Sequence, residues 1–154
     1  MKVLLVLIQF MKNIFQCSCS ERYADVAPLL LRITAGLVFF IHGYNKLSMQ
    51  GVPGVSGFLS SLGFPVPDVF AVILIAVEFL GGSALIIGLF THWAAKLTSI
   101  VALVALLLVH VNKGFLVQGG GYEFILLLLA ATISIIITGP GKYSLDHLLF
   151  NKNL

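Results

Sequence analysis

The stretch VFAVILIAVEFLGGSALIIGLF, residues 69–90, decides how the rest of the chain is read. A helix that crosses a hydrocarbon core needs roughly 20 consecutive apolar residues, and this stretch supplies them with Glu78 as its one ionisable side chain. It has none of the in-out alternation of a barrel strand. A lone carboxylate at that depth costs about 2.5 to 3.5 kcal/mol on insertion scales, so Glu78 needs a partner or a task.

Three comparable blocks lie to either side. Residues 27–44 contain Arg32 and His42, residues 93–111 contain Lys96 and His110, and the shorter block 122–138 opens beside Glu123. Backbone groups in lipid must be paired within the segment, so continuous apolar blocks of this kind form helices. The sequence therefore predicts an all-α fold: a four-helix transmembrane bundle with short interfacial helices. Its organisation reads as an interfacial or cytoplasmic segment at 1–26, a four-helix domain at 27–148 and a tail at 149–154. Composition agrees, with 59% apolar residues against nine basic and six acidic ones and a mean hydropathy of +1.07. A soluble chain carries about a quarter charged residues, so the solvent for most of this surface is membrane lipid. The net charge of +3 comes from basic residues standing singly between apolar blocks. They make no basic stripe with interleaved aromatics, and nucleic acid is excluded as a partner.

Four crossings put both termini on one side. That side holds Lys2, Lys12, Arg22, Lys96, Lys142 and Lys152, against Lys46 and Lys113 on the other. The positive-inside rule then predicts a multi-pass membrane protein with cytoplasmic N and C termini. The apolar run after Lys2 is short, Lys12 follows it and no small-x-small cleavage site comes next, so it reads as a retained interfacial segment. Cys17 and Cys19 are too close for an easy mutual disulfide and read as free thiols. In the connection 48–68, Val55, Phe58, Leu59 and Leu62 fall at i, i+3, i+4 and i+7, the stripe of a surface helix that serves as a lid or simply covers helix ends. Gly139 and Pro140 stop the fourth block, after which Ser144 reads as an N-cap with Asp146 in the first turn of a short helix.

The intramembrane polar residues are few. Arg32 and Glu78 are expected to face each other, since either alone would be an unpaired buried charge. His42 and His110 stand at matched depth near the outer ends of their helices, with Lys46, Lys113 and Glu123 close to the same level. Together they predict a cavity opening to the outer interface, floored by Glu78 and walled by Phe39, Phe40 and Tyr44. A plainer account has the Arg32–Glu78 pair locking two helices, the lysines snorkelling and the histidines bonded to carbonyls or to Glu123 as packing elements. The runs His42-Gly-Tyr-Asn-Lys46 and His110-Val-Asn-Lys113 also echo each other, each followed by a helix with one glutamate.

These residues carry a resemblance. RITAGLVFFIHGYNKL at 32–47, the G-F-P turn at 63–65, EFLGGSALIIGLFT at 78–91, HVNKG at 110–114, GYEF at 121–124 and GPGKYSLD at 139–146 resemble the DoxX family over residues 28–148. The resemblance implies a small four-helix protein of the cytoplasmic membrane, described as an oxidoreductase subunit and related to the membrane subunit of a thiosulfate:quinone oxidoreductase. Relatives are linked to quinone or catechol stress and to thiol-oxidative stress complexes. The positions it marks are Arg32, His42, Gly43, Lys46, Glu78, Gly82, His110 and Glu123. The extension carrying Cys17 and Cys19 is not part of the family pattern.

On this footing the expected function is a membrane subunit of a redox system that binds a quinone, or a similar small planar redox molecule, in the outer half of the bundle. His42, Glu78, His110 and Glu123 are the expected proton-handling groups, with the histidines donating to ring carbonyls. Arg32, Lys46, Phe39 and Tyr44 are the expected ligand-holding groups, Lys46 stabilising a developing anion and Arg32 holding Glu78. With no dinucleotide fingerprint, P-loop or cysteine metal box, electrons would come from a partner such as a soluble dehydrogenase or sulfurtransferase. A second copy of the chain is a further expected partner. A b-type haem held by His42 and His110, and a non-catalytic scaffold or small-solute carrier, are the competing readings.

Overall fold

The computed structural model describes residues 23–150, so the N-terminal segment with Cys17 and Cys19 and the last residues of the tail lie outside the described residues. All regular structure among the described residues is helical. Helix α1 spans Val26–Asn45 and runs on through a π-helical turn, Lys46–Gln50, before the short helix α2, Gly51–Ser61. Helix α3, Pro67–Ala76, continues through a second π turn, Val77–Gly81, into α4, Gly82–Ile87. Helix α5, Thr91–Ala105, ends in a third π turn, Leu106–His110, and one turn of 3-10 helix, Val111–Lys113. Helix α6 is Glu123–Thr138 and α7 is Leu145–Phe150.

The continuous helical segments Val26–Ser61, Pro67–Ile87 and Thr91–Lys113 are each long and apolar enough to cross a membrane, while Glu123–Thr138 is apolar but shorter. The four pack as a closed ring in which α1 lies against α4 and α6, and α5 lies against α4 and α6. The outer surface is apolar: Leu30, Leu37, Ile41, Leu80, Leu103, Leu127 and Ile137 are all exposed. Arg32, Glu78, Thr98, Thr132 and Asp146 are buried instead. Charged side chains inside and a greasy exterior are the reverse of a water-soluble fold, and make this chain membrane-integral. Buried threonines pose no problem, because Thr98 and Thr132 each return their hydroxyl proton to a carbonyl three or four residues earlier.

The buried face of α1 is Pro28, Arg32, Ala35, Gly36, Phe39 and Gly43, a helical stripe of mostly small residues. It lets the backbones of α1 and the 77–87 segment touch. A Cβ on Gly43 would run into the backbone of Phe79 and Glu78, and one on Gly82 into the backbone of Phe40. Close approach through small residues is how helices associate where lipid offers no hydrophobic drive. Here it also brings Glu78 beside the last turn of α1.

At the Trp93 end the chain is tied by a polar knot. Arg32, fully buried, donates to the carbonyls of Leu85 at 3.1 Å and Tyr143 at 2.5 Å. Its guanidinium fills the space beside Gly88, where any side chain would collide with it and where φ is +72°. Asp146 accepts from the backbone N–H groups of Phe90 at 2.7 Å and Thr91 at 2.8 Å, so α7 caps the start of α5 from across the chain. Ser144 accepts from the His147 N–H, as an N-cap should. The expected pairing of Arg32 with Glu78 does not form: an arginine that begins its helix near one membrane edge finds carbonyls of α4 and the 139–146 turn within reach first, and Glu78 is claimed from the other side.

Candidate functional site

That other partner is Lys46. Its ammonium lies 2.6 and 2.8 Å from the two carboxylate oxygens of Glu78, a bidentate ion pair. The Glu78 side chain is 8% exposed and that of Lys46 19%, so the pair sits largely out of solvent. Lys46 follows Gly43 by one turn on α1, and the glycine contact with Phe79 and Glu78 sets the separation that the lysine stem spans.

The pair borders a cavity of about 460 Å³ between α1, α2, α3, α5 and α6. His42, Lys46, Glu78 and His110 are its ionisable lining groups. Phe39, Phe58, Phe64, Phe70 and Phe124 supply aromatic walls, and aliphatic side chains of α3 and α5 complete them. Ile73, Ile100, Val104 and Leu108 line the cavity and are also exposed on the apolar outer face. The cavity thus opens sideways, toward lipid, between α3 and α5. Helix α2 covers the Lys46 end. Val55 and Leu59 anchor it by burial, Phe58 and Leu62 reach over the cavity, and the Ser56 hydroxyl donates to Asp68 at the start of α3 at 2.5 Å. Between the open-lid and plain-cover readings of the 48–68 connection, the observed helix is a roof packed on the site.

Three of the four ionisable lining groups, Lys46, Glu78 and His110, each lie in one of the three π turns. A π turn widens the helix by one residue and rotates the side chains that follow it, and such turns recur at functional sites. Nothing in hydropathy or spacing announces one, which is why the sequence reading missed this common feature.

Both imidazoles are oriented by main-chain carbonyls. His42 Nδ1 lies 2.8 Å from the Val38 oxygen, and His110 Nδ1 lies 2.7 Å from the Gly120 oxygen. A carbonyl only accepts, so each Nδ1 carries the proton and each neutral ring keeps a lone pair at Nε2. In that state the histidines are acceptors at Nε2, whereas the sequence reading made them donors to a ring carbonyl. The echoed runs 42–46 and 110–113 occupy corresponding places, each bringing a histidine to the cavity at the far end of its helix.

The remaining expected site residues lie elsewhere. Arg32 belongs to the knot at the opposite end. Glu123 closes its own loop, its carboxylate accepting from the Val117 N–H at 2.6 Å, and it borders a separate shallow recess with Phe115 and Leu127. A glutamate in the first turn of α6 finds the free N–H groups of the preceding loop before anything across the bundle. Tyr44 is half exposed on the outer face, beside Phe40, which in turn stacks on Phe79. Conversely, Phe58, Phe64, Phe70 and Phe124 form walls that the sequence reading did not assign; the stripe through Phe58 was the one available hint.

Comparison with known proteins gives a consistent family. The DoxX sequence profile matches residues 27–111. "Putative oxidoreductase CatD" of Bacillus subtilis is 32% identical over 126 residues, covering 82% of this chain and 89% of that protein. "Inner membrane protein YqjF" of Escherichia coli is 30% identical over 132 residues, covering 86% and 98%. "Inner membrane protein YphA" of the same organism is 30% identical over 127 residues, covering 79% and 89%. No solved structure matches significantly. By that profile match and these relatives, the chain belongs to the DoxX family.

Proposed function

We propose that this chain is the membrane subunit of a redox system and holds a quinone, or a similar small planar redox molecule, in the cavity beneath α2. The observation that carries the reading is the convergence of His42, His110 and the Lys46–Glu78 ion pair on one otherwise apolar, aromatic-walled space open to lipid. A quinone-type ring needs flat apolar walls, polar contacts for its two oxygens and groups that exchange protons as it changes oxidation state. Phe39, Phe64 and Phe124 offer the first. The Nε2 atoms of His42 and His110 offer the second and third, because an imidazole accepts from a hydroxyl when neutral and donates to a carbonyl when protonated. Lys46 pairs with both oxygens of Glu78 and retains one N–H beyond the two it gives to the carboxylate. The sideways opening suits a molecule that arrives dissolved in the bilayer. When bound, the ring would supply the two-electron chemistry, with electrons exchanged through a partner protein such as a soluble dehydrogenase.

In this reading α6 is the fourth crossing, and the Trp93 end, with Lys96, Lys142 and both termini, faces the cytoplasm across the inner membrane. Two relatives named as inner membrane proteins support the choice of membrane. The test is titration of the purified full chain in nanodiscs with decylubiquinone and a menaquinone analogue, each in its oxidised and its reduced form. Saturable binding that weakens at least tenfold in His42→Ala and Glu78→Gln is expected; no saturable binding, or binding unchanged by both substitutions, overturns the proposal.

A further inference from the structure

The polar inventory of the cavity is unbalanced, and the imbalance selects an oxidation state. His42 and His110 have their Nδ1 protons committed to the carbonyls of Val38 and Gly120, which in the neutral rings leaves two Nε2 lone pairs. The Glu78 carboxylate, paired with Lys46, only accepts. Against these acceptors the lining side chains offer one donor, Lys46, with two of its three protons already directed at Glu78. Such a site is complementary to a ligand that brings its own hydroxyl protons.

Resting on the ring-binding reading above, we propose that the form this site recognises is the reduced one: a hydroquinone-type ring whose hydroxyls donate to His42 Nε2 and His110 Nε2. The oxidised ring carries only carbonyl acceptors and meets lone pair against lone pair until an imidazole is protonated. A site built to bond a hydroxyl discriminates against an analogue that lacks it, because the imidazole acceptors among its apolar walls are then left unpaired. The apolar body of the ligand lies between Phe39, Phe64 and Phe124, and any tail leaves past Ile100 and Val104 into lipid. Binding of the reduced form first means that this chain withdraws a hydroquinone from the bilayer.

The experiment compares decylubiquinol, oxidised decylubiquinone and the dimethyl ether of decylubiquinol on the full chain in nanodiscs under anaerobic conditions. The hydroquinone is expected to bind about tenfold or more tighter than either of the others, and the gap to close to within about twofold in a His42→Leu, His110→Leu double variant. Should that variant fail to fold, nitrogen-15 NMR of histidine-labelled wild-type protein gives the independent readout: both rings protonated at Nδ1 and bare at Nε2, with the Nε2 signals moving when decylubiquinol is added. Quinone binding as tight as hydroquinone binding, or rings protonated at Nε2, overturns this inference while leaving ring binding intact. Failure of all three probes to bind overturns the ring-binding reading itself and this inference with it.

Discussion

Removing Lys46 should harm the protein more than removing Glu78, and removing both should harm it least. The ammonium and carboxylate lie 2.6 to 2.8 Å apart, which at an effective dielectric constant of about 20 is an attraction of roughly 6 kcal/mol. Most of that is offset by taking both charges out of water, so the intact pair is close to neutral against an uncharged pair of the same shape. Breaking it is not neutral. In Lys46→Met the Glu78 carboxylate, 8% exposed and seated in the middle of its helix, keeps its burial and loses its counter-charge, a cost of about 3 to 5 kcal/mol. In Glu78→Gln the lysine is the orphan, but it sits at a helix end on a flexible stem and withdraws toward the interface, at about 1 to 2 kcal/mol. The double variant should lie within about 1 kcal/mol of the parent, giving a coupling of at least about 3 kcal/mol. The assay is reversible unfolding of the full chain in mixed dodecylmaltoside and SDS micelles, followed by helical circular dichroism, with all four proteins compared. Equal single costs that simply add in the double variant would refute the claim that a desolvated ion pair stands at the cavity.

Other expectations follow from the same contacts. Gly43→Ala forces a Cβ into the backbone of Phe79 and Glu78 and should cost about 1 to 3 kcal/mol in the same unfolding assay, while also weakening ring binding by spreading Lys46 from Glu78. Asp146→Ala removes both acceptors from the Phe90 and Thr91 N–H groups and should cost about 2 kcal/mol, with Asp146→Asn, which keeps one acceptor oxygen, losing about half as much. Arg32→Lys should lower stability by about 2 kcal/mol with ring affinity within twofold of the parent, since its two carbonyl bonds lie at the opposite end from the cavity; a large affinity loss would return Arg32 to the site. The exposed Lys142–Asp25 bridge, at 2.9 Å, should be nearly silent: Lys142→Met is expected to leave the unfolding midpoint unmoved. The hydrogen bond to Asp25 and its negative charge hold the Lys142 ammonium above its ordinary range, so whatever the bridge contributes is present below that range and is lost only as pH rises through the elevated value. The pH profile of stability across neutrality should therefore show no feature from this pair.

Much of the architecture could be read from residues alone because it follows from one-dimensional quantities. The length and apolarity of 69–90, the stripe through Val55 and Leu59, the stop at Gly139 and Pro140 and the cap at Ser144 are all local, and the observed elements sit where those signals lie. That His42 and His110 stand at matched depth, with Lys46 close to the same level and Glu78 below them, also follows from counting turns along helices.

Which of them touch was decided by the tertiary structure. Depth along a helix is set by chain distance, but the direction a side chain faces depends on helix rotation and crossing, and here three π turns and the contact of Gly43 with Phe79 and Glu78 reset those angles. Arg32 and Glu78 looked like complementary charges in sequence; packing gave the arginine to the carbonyls of Leu85 and Tyr143 and the glutamate to Lys46. The state of the two histidines depended likewise on which carbonyls came within 3 Å of Nδ1, one of them ten residues away in a loop. Hydropathy chose the solvent and the helices, because burial in lipid is a property of whole segments. The chemistry of the cavity came from a few hydrogen bonds whose partners only the folded chain brings together.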